Sequence, residues 1–277
     1  MKNVCIETDK VEFIYNKIDC VPENLNSRHC HDRYEIIYVY DGSGKYTVEG
    51  VEYPVGPRTL MVFAPLSYHC VQIDAGTVYE RAVIHFDKDS VTEPAKEAIE
   101  KLESASALAG AFYSPDAISD TISSVFDRFE SLHSLPEKER ERYARVLLSE
   151  LVLLLSFSNT EFHLRDDGEL GARVIKYLNQ NMDKDISLDK LAKRFFVSKY
   201  YLCRAFKKHN GISVHGYINQ KRVMYAKQLI ESGETASGAA YRVGFGDYSA
   251  FYRAYVKIIG RSPKQAEERK ANEVQHT

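Results

Sequence analysis

Along the first third of the chain the apolar positions alternate with polar ones or come in short blocks, and the blocks end at Gly, Pro and Asp. A period of two with such punctuation marks β-strands. Tyr34-Glu35-Ile36-Ile37-Tyr38-Val39-Tyr40 is the clearest block, rich in β-branched and aromatic residues and closed by the turn sequence Asp41-Gly42-Ser43-Gly44. Residues 45–49, 59–64, 71–73 and 79–86 continue in the same manner. The segment from about 11 to 90 is therefore predicted to form a small barrel or jelly roll. From about 94 to 158 the period changes. Ile118, Ile122, Val125, Phe126 and Phe129 recur at helical spacing, and Pro136-Glu137 opens a second helix carrying Tyr143, Val146, Leu147, Leu151, Leu154 and Leu155. That helix has more apolar surface than covering a small barrel requires.

The pattern then lapses. Residues 156–171 are polar and turn-rich, with Asn159, Thr160, Asp166, Asp167 and Gly168, so a linker is placed at 159–171. It separates a first domain, 1–158, from a second, 172–277, in which one small pattern occurs twice, 49 residues apart. Leu202-Cys203-Arg204-Ala205-Phe206 returns as Phe251-Tyr252-Arg253-Ala254-Tyr255, and Phe196, Lys208, Gly211 and Ser213 return as Phe245, Lys257, Gly260 and Ser262.

Each copy reads as two helices about a short turn. In the first, Ser187 caps a helix with Leu188, Leu191, Ala192 and Phe195 on one face, Phe196-Val197 makes the turn, and Ser198 caps the next helix. That helix buries Leu202, Ala205 and Phe206 and presents Tyr200, Cys203, Arg204 and Lys207. In the second copy Gly244-Phe245-Gly246 makes the turn and Asp247 caps a helix from Tyr248 to Ile259, with Phe251, Ala254 and Tyr255 inward and Tyr248, Ser249, Tyr252 and Arg253 outward. Residues 214–231 suit a single helix of about 27 Å. Such a strut could hold two recognition helices roughly 34 Å apart, one duplex turn, in successive major grooves. This is helix-turn-helix chemistry.

Charge sharpens the division. The net charge of −2 conceals a first part, residues 1–169, with 17 Lys+Arg against 30 Asp+Glu, and a second, residues 170–277, with 20 against 9. A basic second domain is the electrostatic footprint of phosphate binding, while the acidic first part should stay off DNA. The five cysteines, at 5, 20, 30, 70 and 203, make no metal-type pair, nothing at the start resembles a signal peptide, and the longest apolar run is too short to span a bilayer. A cytoplasmic protein with no membrane partner is expected.

The run Gly244-Phe245-Gly246-Asp247-Tyr248-Ser249-Ala250-Phe251-Tyr252-Arg253, closing with Gly260-Arg261-Ser262-Pro263, resembles the signature of the AraC/XylS family of bacterial transcription regulators. Leu191-Ala192 and Ser198 through Lys208 resemble it as well, so the likeness covers about the last hundred residues. It departs from the usual pattern at Tyr255-Val256, at Gln265-Ala266-Glu267, and at the small residues Ala236 and Ala239. The resemblance implies base reading by Tyr200, Cys203 and Arg204 in the first copy and by Tyr248, Ser249, Ala250 and Arg253 in the second. Ser198, Lys199, Lys207, Lys208 and Lys257 join them as phosphate-contacting or helix-end residues. It also implies a homodimer through the second apolar helix, double-stranded DNA as partner, and RNA polymerase as a further one.

In the first domain, His29-Cys30-His31, Glu35, Gly42, Pro54-Val55-Gly56 and His69 resemble the two motifs of the cupin superfamily, whose barrels serve as effector domains in many such regulators. The expected fold is thus α+β: a cupin-like β-barrel with dimerisation helices, then an all-α domain of two helix-turn-helix units joined by a long helix. By strand parity His29, His31, Arg33, Glu35, Ile37 and Val39 share one face. His29, His31, Arg33, Glu35 and His69 are assigned to a small polar effector, a sugar or glycoside by family precedent, because buried polar groups need polar partners. His29, His31, Glu35 and His69 are also the donor set of a metal site. The reading adopted holds no metal and no cofactor. Its alternative is a metal-dependent cupin enzyme, a sugar isomerase or dioxygenase, fused to a DNA reader. His85, alone on an apolar strand, is expected to be a core residue. The function expected is a ligand-responsive, sequence-specific regulator, an activator of carbohydrate-utilisation genes rather than an enzyme.

Overall fold

The computed structural model describes residues 3–22, 26–105, 110–158, 169–182, 184 and 186–266. Most of the segment read as a linker, residues 159–168, lies outside them. Contacts divide the chain into two compact units, one of residues 1–29 and 33–164 and one of residues 30–32 and 165–277.

Among the described residues the first unit has ten strands: β1 (Asn3–Glu7), β2 (Val11–Ile18), β3 (Asn26–His29), β4 (Tyr34–Asp41), β5 (Gly44–Val48), β6 (Val51–Val55), β7 (Leu60–Phe63), β8 (His69–Ile73), β9 (Tyr79–Phe86) and β10 (Gly110–Tyr113). They form a six-stranded sheet in the order β1-β2-β9-β4-β7-β10 and a four-stranded sheet in the order β3-β8-β5-β6, with antiparallel pairing throughout the described residues. Alternation along each strand then sorts the side chains. Ile37, Val39, Met61, Phe63, Tyr79 and Val83 meet Tyr46, Val48, Val55 and Ile73 of the smaller sheet, while Ile36, Tyr38, Leu60, Val62, Ile84 and Phe86 face the other way.

That second face is covered by α1 (Ala95–Ala105), α2 (Asp120–Ser131) and α3 (Glu137–Phe157). Ile122, Val125, Phe126 and Phe129 of α2 and Ala144, Leu147, Leu148, Leu151, Val152 and Leu155 of α3 join it in one core. Covering the sheet is thus one use of α3. Its far side still leaves Tyr143 and Val146 each 58% exposed and Phe157 85% exposed.

Three strands depart from the expected plan. β1 precedes the predicted barrel, and β6 follows β5 across a tight turn at Glu49 and Gly50, both at positive φ. β10 lies in the stretch read as helical and pairs with β7, Gly110 opposite Phe63 through Tyr113 opposite Leu60. Four residues are too few for a period to show. A Cβ at Gly110 would sit 2.5 Å from the Val62 carbonyl, so the close edge pairing needs glycine there.

The second unit is helical: α4 (Leu170–Gln180), α5 (Leu188–Arg194), α6 (Lys199–Asn210), α7 (Val214–Glu231), α8 (Ala236–Arg242) and α9 (Tyr248–Ile259). Caps set the boundaries. Ser187 accepts from Lys190 N, Ser198 from Tyr201 N, Ser213 from Gly216 N, Thr235 from Gly238 N, and Asp247 from Ser249 and Ala250 N. Gly211 and Gly260, both left-handed, end α6 and α9. Small Ala236 and Ala239 are fully packed against Phe251 and Tyr255.

One detail of the repeat is corrected. Val197 N bonds to Ala192 O as Phe245 N does to Ala240 O, and Phe196 N bonds to Lys193 O as Gly244 N does to Tyr241 O. Phe196 is therefore the counterpart of Gly244, not of Phe245, and Gly246 is the extra residue that restores the spacing of 49. Phe245 packs on Phe251 at 5.4 Å between ring centroids, whereas Phe196 is 95% exposed at φ 56°.

Candidate nucleic-acid interface and ligand site

Each half of the helical unit presents the second helix of its pair. In α6, Leu202 and Phe206 are buried, which turns Tyr200 and Arg204 outward, both exposed, with Cys203 half-buried between them. Lys207 and Lys208 follow in the next turn, exposed. Lys199, at the start of the helix, pairs with Asp189 of α5 at 3.0 Å. In α9, Phe251 and Tyr255 are buried, leaving Ser249, Arg253 and Lys257 exposed, Tyr248 37% exposed and Ala250 half-buried. Beside it a cleft of about 450 Å³ is lined by His215, Asn219, Arg222, Gly246, Arg253 and Lys257. The two surfaces combine guanidinium, ammonium, hydroxyl and aromatic groups on helices anchored at their N-termini by Ser198 and Asp247. Such groups contact phosphates and base edges.

The sequence-derived ligand-site residues lie on three strands and on the turn between two of them. The common face expected for residues 29–39 holds from Glu35 onward, because β4 begins at Tyr34 and residues 30–33 form the turn that carries the chain from one sheet to the other. His29 ends β3, His69 begins β8 directly opposite it, and Glu35 reaches them from the facing sheet. One ligand atom from each of His29, His31, Glu35 and His69 lies within 4.8 Å of the others. Arg33 is not in this group. It donates to the carbonyls of Lys10 at 2.8 Å and His85 at 3.2 Å and lies 3.6 Å from the Asp87 carboxylate.

His69 is held on three sides. Nδ1 bonds to the Ser67 carbonyl at 2.9 Å, the ring stacks on Phe63 at 4.4 Å, and Nε2 lies 3.1 Å from Glu35 Oε2. Strand register supplies a partner that reasoning along the chain alone missed. Glu12, His85 and Glu35 are directly opposite one another on β2, β9 and β4. His85 Nδ1 lies 2.9 Å from Glu12 Oε2 and its Nε2 3.4 Å from Glu35 Oε1. Burial opposes charging this imidazole, but the hydrogen bonds and charges of Glu35 and Glu12 outweigh it and raise its pKa. His85 is thus a bridge between carboxylates rather than an isolated core residue. Deeper in, Tyr46 and Tyr79 share a short hydroxyl–hydroxyl bond, and Arg81 lies over the Tyr79 ring at 4.7 Å. Burial pushes both phenols up, Tyr46 the further.

A two-sheet barrel with an apolar core and a cluster of imidazole and carboxylate groups, followed by paired helix-turn-helix units, defines a ligand-responsive DNA-binding regulator. Residues 17–156 match the AraC-like ligand binding domain and residues 191–269 a helix-turn-helix domain, so the chain belongs to the AraC family of transcription regulators. It is 26% identical over 229 residues to the uncharacterized HTH-type transcriptional regulator YbfI of Bacillus subtilis (strain 168), covering 80% of this chain and 79% of that one. To the HTH-type transcriptional activator RhaS of Klebsiella pneumoniae (strain 342) it is 24% identical over 258 residues, 88% of each. Among solved structures, ToxT from Vibrio cholerae bound to an unsaturated fatty acid aligns over 96% of both chains at 12% identity and a TM-score of 0.41. The family consists of regulators, and the enzyme alternative is set aside. No helix among the described residues is long and apolar enough to cross a membrane.

Proposed function

We propose that this regulator activates nearby carbohydrate-utilisation genes as a cytoplasmic homodimer, in response to a small polar effector, a sugar or glycoside, in the barrel. The observation that carries the DNA-reading part is the pair of capped helices α6 and α9, each exposing one arginine, Arg204 and Arg253, at equivalent places on its outer face. Each could grip guanine bidentately in a major groove. Tyr200, Cys203, Tyr248, Ser249 and Ala250 add base contacts, and Ser198, Lys199, Lys207, Lys208 and Lys257 hold the phosphates. The likeness to an activator, RhaS, favours activation, and RNA polymerase is then the second macromolecular partner.

His29, His31, Glu35 and His69 supply the polar end of the effector site; Arg33, turned toward Lys10 and His85, is the weakest member of that assignment. The apolar strip of α3 around Tyr143 and Val146 is the dimer contact. Residues 1–158 sense, 159–171 link and 172–277 read. Effector binding shifts the population of dimer and linker arrangements and so changes which half-sites are reached together.

The test is fluorescence anisotropy of the purified protein on its own upstream DNA at two salt concentrations, with and without a panel of sugars. Salt-sensitive preference for that DNA over a scrambled duplex, altered by one sugar, is the expected result. Equal affinity for both duplexes in every condition would overturn the local-operator reading.

A further inference from the structure

Two kinds of donor meet inside the barrel with no anion of the protein to receive them. Tyr46 and Tyr79 are buried, and their hydroxyls bond to one another. One donates and the other accepts, so the accepting phenol keeps a proton of its own, for which no group among the described residues is the acceptor. Arg81, two residues on from Tyr79, shares its face of β9, and its guanidinium lies 4.7 Å from the centre of the Tyr79 ring. Its charge is permanent, and among the described residues no carboxylate comes within 4.0 Å of it. Glu35 is the acid whose charge reaches it from further off, and the Glu35 oxygens face His69 at 3.1 Å and His85 at 3.4 Å. The phenols supply no charge either, because burial raises both and keeps them neutral.

A half-buried cation beside a leftover hydroxyl proton calls for an anionic acceptor. We infer that Arg81 and the hydroxyl pair of Tyr46 and Tyr79 form a binding site for a carboxylate, which makes the effector a sugar acid rather than a neutral sugar. The inference rests on reading the barrel as the sensing unit and names the charge of what it senses.

Shape and access agree with this. The planar guanidinium fork matches the two oxygens of a carboxylate. A phosphate, with about two charges, would leave one of them unmatched beside a single guanidinium. Arg81 is half-buried, and so are Ile14, Asn16 and Ile18 of β2 beside it, Asn16 directly opposite in register, so this part of the inner face is open to solvent. Val39, opposite Arg81 on β4, and Val83, further along β9, give an apolar floor. Against such a floor a charge-assisted bond is stronger than in water.

The experiment uses the full chain and formate, the smallest carboxylate, titrated by saturation-transfer NMR at an ionic strength held constant with chloride. Saturable transfer to formate is expected for wild type, and Arg81→Gln should weaken it about tenfold or more. Arg81→Lys, which keeps the charge and loses the fork, should fall between the two, Tyr46→Phe should weaken binding by less than Arg81→Gln, and Lys138→Gln, at an exposed lysine of the same unit, should change nothing. Absence of saturable transfer in wild type overturns the inference, as does equal binding by Arg81→Gln and wild type. Galacturonate and glucuronate should displace formate where galactose and glucose do not; displacement by neither acid, or equally by the neutral sugars, overturns the sugar-acid assignment. DNA anisotropy on the same samples separates the two readings. A neutral sugar that alters operator binding equally in wild type and Arg81→Gln removes the acidic effector alone, and formate binding without operator preference removes the regulatory reading alone.

Discussion

The guanidinium of Arg222, on α7, donates to the Gly244 carbonyl at 2.7 Å. The same group donates to the carbonyls of Met182 at 3.2 Å and Lys184 at 2.7 Å, so one buried side chain ties the loop after α4 to the turn of the second helix pair. Gly244 has φ 90°, and a Cβ there would sit 2.7 Å from an Arg222 nitrogen. Arg222→Ala leaves three carbonyls without this donor and should cost about 3 kcal/mol in urea unfolding of the helical unit. Gly244→Ala should also destabilise, through its left-handed backbone and the crowded guanidinium. Unchanged midpoints would show that the tie contributes nothing.

Phe196 occupies the corresponding turn position in the first copy with φ 56° and 95% of its surface exposed. A bulky residue there bears the left-handed cost and gains little from burial. Phe196→Gly is therefore expected to raise stability by about 1 kcal/mol, read as a higher Tm. A lower Tm would mean that the ring is packed in solution.

Arg204→Ala and Arg253→Ala should each weaken operator binding by about 1–3 kcal/mol and relax base preference, while binding to scrambled DNA falls less. Lys207→Ala should instead lower affinity on every sequence and reduce the salt slope by about one. Parallel losses on specific and nonspecific DNA for the arginine variants would remove them from the base-reading set.

On α3, Val146→Glu places a charge in the exposed strip beside Tyr143 and away from Leu147 and Leu151, which are buried. On the proposed dimer contact, sedimentation should show wild type associating and the variant monomeric at the same concentration, with a Tm taken at matched low concentration nearly unchanged. A variant as dimeric as wild type would move the interface elsewhere.

The helical unit was legible in the sequence almost to the residue, because what defines it is local. Ser213 caps α7 and Asp247 caps α9, and each cap acts within three residues of its own chain. Leu202 and Phe206 share a face through helical spacing alone. Where local signals coincide with a two-fold repeat, the chain carries its own check. The single misreading, Phe196 against Phe245, arose because one inserted glycine preserves the spacing while shifting the turn.

In the sheet unit the sequence determined that strands form, which residues alternate, and which polar side chains are available: His29, His31, Glu35 and His69 are visible in it. Tertiary structure alone decided what they meet. Strand pairing sets Glu12, His85 and Glu35 side by side although 73 positions separate Glu12 from His85, and the turn at 30–33 swings Arg33 away from its sequence neighbours. A strand's period says which face a residue takes, but sheet register says which residues from distant strands share that face, and register is fixed by long-range pairing that no local pattern encodes.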